Sequence, residues 1–382
     1  MTQRMHFETA AIHAGQEPDA ATGAAVVPIY QTTTYVQEGV GRHKGFEYSR
    51  TDNPTRRALE VCLAALEGVS HGIAFGSGMA ATTTLALMLK AGDVVVIPND
   101  VYGGTYRLFA KVTADLGIEF RTVDMTDIGA VERAMDNARL LFAETPTNPL
   151  LKVLDLGALA GLARDAGALF VVDNTFATPY IQRPVEFGAD AVLYSATKYL
   201  GGHSDLVAGA ITTDDDDLAE QLRFLQNAVG GIPGPFDSWL LLRGLKTLAI
   251  RMRAHSQGAA RVAEWLEDHP SVDRVFFPGL PSFEGHDVAT KQMAAAGEPL
   301  YGGMVTIEVE SKQRALAICE NTDLFFLGES LGGVESLIEH PGEMTHASLA
   351  GSGMEVSDRL IRLSIGIEHP DDLIADLDRA LG

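Results

Sequence analysis

Leu169-Phe170-Val171-Val172-Asp173-Asn174-Thr175 and Ala191-Val192-Leu193-Tyr194-Ser195-Ala196-Thr197-Lys198 decide how this chain is read. Each opens with a short apolar run of the length of a buried strand, and each closes on residues that carry chemistry: an acid in the first, a Ser/Thr pair and a lysine in the second. A helical pattern over Leu156–Ala166 precedes the first. Moving upstream, the same rhythm predicts helices over Thr55–Glu67, Met79–Lys90 and Tyr106–Leu116. Strands are expected at His71–Phe75, Val94–Pro98, Glu119–Val123 and Leu140–Glu144. Strands of about five residues alternating with helices of ten or more predict an α/β domain with a mainly parallel sheet, its active site where strands end.

Downstream the texture changes. A helix is expected over Leu218–Asn227, a long helical stretch from Phe236 toward Asp268, and then hairpin-like strands around Gly302–Val309 and Arg362–Gly366. The first forty-odd residues hold turn formers and isolated hydrophobics and cannot build a core alone. The expected division is an arm over 1–50, a large domain over 51–245 and a smaller C-terminal α+β domain over 246–382. The tract Asp214–Asp217 reads as a solvated helix start, where carboxylates suit the helix dipole, rather than as a metal site.

The 382 residues, 46% of them hydrophobic, suffice for two or three domains with real cores and exclude global disorder. Against 51 Asp and Glu stand only 29 Lys and Arg, a formal charge of −22, which disfavours nucleic acid and anionic membrane as partners. Cys62 and Cys319 are too few and too far apart for a zinc motif or a disulfide framework, and no signal-peptide core or membrane-spanning apolar run is present, so a cytoplasmic, metal-free protein is expected.

Two patterns compete for the cofactor. Gly76-Ser77-Gly78-Met79-Ala80-Ala81 joins a strand to a helix, where backbone N–H groups bind phosphate. With Asp100 after the next strand, it also fits the relaxed dinucleotide pattern of a nicotinamide-dependent dehydrogenase. Lys198 argues otherwise. Of eight lysines it alone combines a strand end with flanking glycines, Gly201-Gly202. Pyridoxal phosphate needs a lysine for its covalent link, a helix start for its phosphate and an acid, here Asp173, for its ring nitrogen; a nicotinamide needs only the helix start.

These residues carry a wider likeness. Phe46-Glu47-Tyr48-Ser49-Arg50, Asn53-Pro54-Thr55-Arg56, Gly76–Ala80, Tyr102-Gly103-Gly104-Thr105, Glu144-Thr145-Pro146-Thr147-Asn148-Pro149, Val172–Phe176, Ser195–Tyr199, Gly202-His203-Ser204-Asp205, Glu329-Ser330-Leu331-Gly332-Gly333 and Met344-Thr345-His346 together resemble the Cys/Met-metabolism group of pyridoxal-phosphate enzymes, over nearly the whole chain. The resemblance implies a fold-type-I transferase or lyase of transsulfuration that acts on small amino acids as a homo-oligomer, a tetramer of paired dimers.

Residue by residue, it implies that Lys198 links the cofactor and moves protons, that Asp173 meets the ring nitrogen, and that Tyr102 stacks over the ring. Gly78, Met79, Thr175, Ser195 and Thr197 match cofactor-binding positions, and Tyr48 and Arg50 match phosphate ligands given by a neighbouring subunit. Asn148, Ser330 and Arg362 match the holders of the substrate α-carboxylate. Glu47, Arg107 and Glu329 match groups that suit the distal end of cystathionine or an incoming cysteine. Glycine at Gly104, where methionine γ-lyases carry cysteine, and an acid at Glu329, where β-lyases carry an aromatic, lead to an expectation of cystathionine γ-synthase chemistry, with γ-lyase the alternative. Asp52, Gly328 and the short insertion Ala294–Pro299 depart from the common pattern.

Overall fold

The computed structural model describes residues 5–345, 354 and 356–382; His346 of the quoted motifs lies outside them. The strands in chain order are β1 (His71–Phe75), β2 (Val94–Pro98), β3 (Glu119–Val123), β4 (Ala138–Glu144), β5 (Leu169–Asp173), β6 (Ala191–Ser195), β7 (Gly209–Thr213), β8 (Arg274–Phe276), β9 (Met304–Glu308), β10 (Phe326–Leu327), β11 (Leu337–Glu339) and β12 (Leu360–Ser364). The chain forms two compact units, one from residues Met1–Met88 with Asp190–Ala249, the other from Leu89–Ala189 with Ile250–Gly382. The units thus interleave along the sequence.

In the first unit, β7 lies between β1 and β6 and runs antiparallel to both. Its long helix, Pro54–Glu67, starts where the residue types dictate. Asn53 Oδ1 accepts the N–H groups of Thr55 and Arg56, proline takes the first helical position, and Gly68 ends the helix at φ 87°. Leu59, Cys62, Leu63 and Leu66 recur at helical spacing and are buried, as are Ile73 and Phe75 of β1 and Ile211 of β7. The acidic tract is a helix start: Asp215 caps the helix Asp216–Val229 by accepting Leu218 N–H at 2.8 Å, and Asp214 binds Ser70 Oγ at 2.6 Å.

In the second unit, β5, β4, β2 and β3 lie side by side in that order, all parallel. Met125, Val131, Leu156, Leu159 and Ala163 from flanking helices and loops pack with Leu141 and Phe170 of the strands in one buried cluster. Strands that are apolar at nearly every position and covered by helices are what parallel sheets require. A second sheet, in the order β10-β11-β12-β9-β8, carries its own core of Val305, Ile307, Ile338, Ile361 and Leu363 against the helices Leu248–Glu267 and Pro370–Leu381.

Three expectations change. The stretch from Phe236 toward Asp268 is two helices, Pro235–Leu245 and Leu248–Glu267, parted where Thr247 turns back to Gly244 O. The helix expected over Tyr106–Leu116 begins earlier, at Gly103, and relaxes through a π-helical turn at Leu108–Thr113 into a 3₁₀ turn. Strand β7 and the helix Ile128–Ala134 were not expected; the helix is short, with Val131 its buried residue, and rests on the Asp127 cap.

Candidate active site

Within the first unit the glycine-rich turn after β1 leads into the helix Gly78–Ala86. Ser77 Oγ accepts Ala80 N–H at 2.9 Å, closing the first turn. A Cβ on Gly78 would sit 2.9 Å from Ser195 Cβ, and one on Gly209 would sit 2.2 Å from Ser77 O. Only hydrogen fits at either place. The missing side chains let the helix start approach the end of β6, bringing the N–H groups of its first turn close to Ser195. Thr197 is pinned beside it, its hydroxyl donating to Ala208 O at 3.2 Å and accepting Ala208 N–H at 3.0 Å. Lys198, half-buried, follows in a turn closed by its N–H on Ser195 O at 3.2 Å and by Gly202 N–H on its own carbonyl at 2.8 Å.

Tyr48 and Arg50 lie on the exposed arm of the same unit, the guanidinium 5.7 Å from the Tyr48 ring centroid. Arg50 Nη1 donates to Asn227 O at 2.6 Å. Just behind them Arg56 is buried, and its guanidinium donates to the carbonyls of Ser49 at 2.7 Å, Arg50 at 3.2 Å and Thr51 at 2.9 Å. Glu47 is exposed and 3.1 Å from His43 Nε2.

Within the second unit, carboxyl groups gather where the parallel strands end: Asp100 beyond β2, Glu144 closing β4 and Asp173 closing β5. Glu144 and Asp173 are register partners. Asp173 Oδ1 accepts the N–H of Thr175 at 3.0 Å and its hydroxyl as well; burial nevertheless pushes the Asp173 carboxyl up to about 6. Burial, then the charge of Asp173, holds Glu144 well above the usual carboxylate range. Tyr102, half exposed, donates its backbone N–H to Glu144 Oε2 at 3.0 Å.

The carboxylate-binding candidates of this unit also meet. Arg362, on β12 and 3% exposed, donates from Nη1 to Asn148 Oδ1 at 2.9 Å and from Nη2 to Ser330 O at 2.9 Å. Its Nη2 also lies 3.0 Å from Glu339 Oε2, and Glu339 is 1% exposed. Ser330 holds φ at 114°, a strained value for a residue with a Cβ. Arg107 and Glu329 are exposed.

Asp100 does not fill the ribose-binding role that the dinucleotide pattern gave it. It is 6% exposed, its carboxyl is occupied by the Thr147 hydroxyl and by Leu150 N–H at 3.3 Å, and burial raises it to about 6. The sequence reading passed over Glu339 and Arg56. Arg56 stood in a quoted motif beside its cap Asn53, whereas Glu339 had no local signal, because only the pairing of β11 with β12 sets it opposite Arg362.

A profile of the family described as Cys/Met metabolism PLP-dependent enzyme matches residues 8–382. The cystathionine gamma-synthase of Mycobacterium tuberculosis is 54% identical over 378 residues, 98% of this chain and 96% of the relative. The cystathionine beta-lyase of Coxiella burnetii is 51% identical over 386 residues, 99% of this chain and 98% of that protein. Among solved structures, the cystathionine gamma-lyase of Lactobacillus plantarum, complexed with L-serine, matches with a TM-score of 0.94 at 45% identity, covering 98% of each chain. Relatives named for three different reactions therefore lie within a narrow span of identity.

The chain's residues fit pyridoxal phosphate. The helix start at Gly78, close beside Ser195, offers backbone N–H donors to a phosphate. Asp173 is a half-buried acid with which no Lys, Arg or His forms an ion pair among the described residues, the setting that a protonated ring nitrogen would complete.

Proposed function

The chain belongs to the Cys/Met-metabolism family of pyridoxal-phosphate-dependent enzymes, with the family's fold-type-I architecture, and on that premise we propose that it is a cystathionine γ-synthase, joining cysteine to an O-acylhomoserine. The observation that carries the reading is the position of Glu329. Its exposed side chain immediately precedes Ser330, whose carbonyl anchors Arg362 at 2.9 Å. A clamp for an α-carboxylate thus has an acid one residue away, as a substrate with a second ammonium group requires.

In this reading Arg362 and Asn148 hold the α-carboxylate and Lys198 carries the cofactor. Once the substrate amine has freed it, the Lys198 amine would take the proton from substrate Cα, give it up again and then take one from Cβ, so that the γ-acyloxy group leaves as a carboxylate. Tyr102 would stack on the cofactor ring, and Asp173 would bond its nitrogen. When bound, the cofactor supplies the electron sink for carbanions next to the amino group. Cysteine thiolate then adds at the γ-carbon, oriented by Glu329, Glu47 and Arg107. Gly78, Met79, Ser195, Thr197 and Thr175 complete the cofactor's binding groups. The arm, whose Val36 and Val40 are almost fully exposed, delivers Tyr48 and Arg50 to a second copy within a tetramer of paired dimers in the cytoplasm. With water in place of cysteine, the same groups support γ-elimination from cystathionine, the reaction named for the Lactobacillus plantarum relative.

Glu329→Ala tests the reading. A charge-assisted bond to the distal ammonium contributes about 1.5–3 kcal/mol, so kcat/KM with cysteine or cystathionine should fall about tenfold or more while γ-elimination from acylated homoserine alone is spared. Equal losses on both would remove the main support for the γ-synthase assignment.

A further inference from the structure

The string Glu144–Pro149 contains one buried acid that bonds to two of the residues assigned above and lies in register with a third. Glu144 Oε2 accepts the Tyr102 backbone N–H at 3.0 Å, the Asn148 backbone N–H bonds to the same carboxyl, and Asp173 is its register partner on β5. Glu144 is 5% exposed, so water does not replace a lost partner here. We propose that Glu144 is a positioning residue, tying the Tyr102 backbone and the Asn148 turn to the end of β4 beside Asp173 so that stacking ring, carboxylate-binding amide and ring-nitrogen acid keep one fixed spacing. The proposal deepens, and rests on, the roles given above to Tyr102, Asn148 and Asp173.

The chemistry suits a carboxyl that keeps its proton. Tyr102 opens the short helix Gly103–Arg107, and its own N–H has no carbonyl of that helix to bind. A side-chain oxygen must take it. Burial together with the charges of Asp173 and Asp100 favours the neutral form of Glu144. A neutral acid still offers an oxygen to an N–H, and it puts no second negative charge beside Asp173. The isosteric amide should therefore replace it, whereas a shorter acid should not.

The test compares wild type with E144A, E144D and E144Q. The readouts are the Kd for added pyridoxal 5′-phosphate, the induced circular dichroism of the bound cofactor, and KM against kcat for an amino-acid substrate. E144A and E144D should each weaken cofactor binding about tenfold, lose much of the induced dichroism and raise KM more than they lower kcat. E144Q should recover most of the affinity and dichroism. If E144A fails to fold, E144D decides alone, since it keeps the carboxyl but withdraws it by one methylene. Affinity, dichroism and KM all within about twofold of wild type in E144D, whatever its melting temperature, would overturn the proposal. So would an E144Q as impaired as E144D. Cofactor titration needs no turnover, so it still reports on Glu144 if the wild type proves inactive on O-acylhomoserine and cystathionine, a result that would sink the γ-reaction reading alone.

Discussion

Arg362 Nη1 donates to Asn148 Oδ1 at 2.9 Å, joining two side chains 214 positions apart, the arginine on β12 and the asparagine beyond β4. The guanidinium also meets Ser330 O and Glu339, and a planar fork is the side chain that can serve all three at fixed angles.

Arg362→Lys keeps the charge and loses the fork. It should lower kcat/KM about a hundredfold while cofactor affinity stays near wild type. Arg362→Ala should in addition destabilise the fold by about 3–5 kcal/mol, because the carboxylate of Glu339 is left buried without its cation. Steady-state kinetics, cofactor titration and calorimetry separate the effects; unimpaired turnover in Arg362→Lys would take the substrate carboxylate away from this residue.

Lys198→Ala should fold and bind pyridoxal phosphate only noncovalently, so borohydride fixes no cofactor to the chain, and turnover should fall by about three orders of magnitude or more. Asp173→Ala should bind cofactor weakly and lose most of its rate, since an unprotonated ring is a poor electron sink. Mass spectrometry after reduction checks the first, titration and kinetics the second. An active Lys198→Ala enzyme would end the proposal.

Mixing separately inactive Arg50→Ala and Lys198→Ala subunits, with exchange verified, should restore part of the activity if the arm serves a neighbouring copy, because hybrids then hold one intact site. No recovery in verified hybrids would assign both residues to the site of a single chain.

Asp100 makes stability depend on pH in a stated direction. Its folded value, about 6, lies above the ordinary carboxylate value of 3.8, so the favourable burial of the neutral acid is fully present below about pH 4. It is lost as pH rises through about 6. The change amounts to about 3 kcal/mol. Asp100→Asn removes the titration, so its melting temperature relative to wild type should rise between pH 4.5 and 7.5. A constant difference across that range would show that Asp100 does not titrate there.

Elements whose pattern is local were legible. Strands β1, β2, β3 and β5 and the helix Leu156–Ala166 fall where apolar runs, caps and glycine stops placed them. Strand β7 escaped because Gly-Ala-Ile-Thr-Thr has little apolar signal and is made a strand by its two antiparallel neighbours. The same distinction runs through the candidate site. Lys198 and Asp173 stood out by their places at strand ends, whereas Glu339 becomes a partner of Arg362 only through strand pairing. Asp100 misled because its spacing from the glycine turn suited a ribose, while its carboxyl was already committed to Thr147 and Leu150.

Arg56 holds three successive carbonyls, those of Ser49, Arg50 and Thr51, from inside its own unit. The stance in which Arg50 leaves the protein is thus set before any other copy is met. If the arm serves a neighbour, damage at Arg56 spares the bearer's own catalytic groups and spoils those of its companion. In a cell making intact and altered chains together, each intact arm would still complete one site wherever it lands, so activity would follow the share of intact chains and not how often the two kinds assemble.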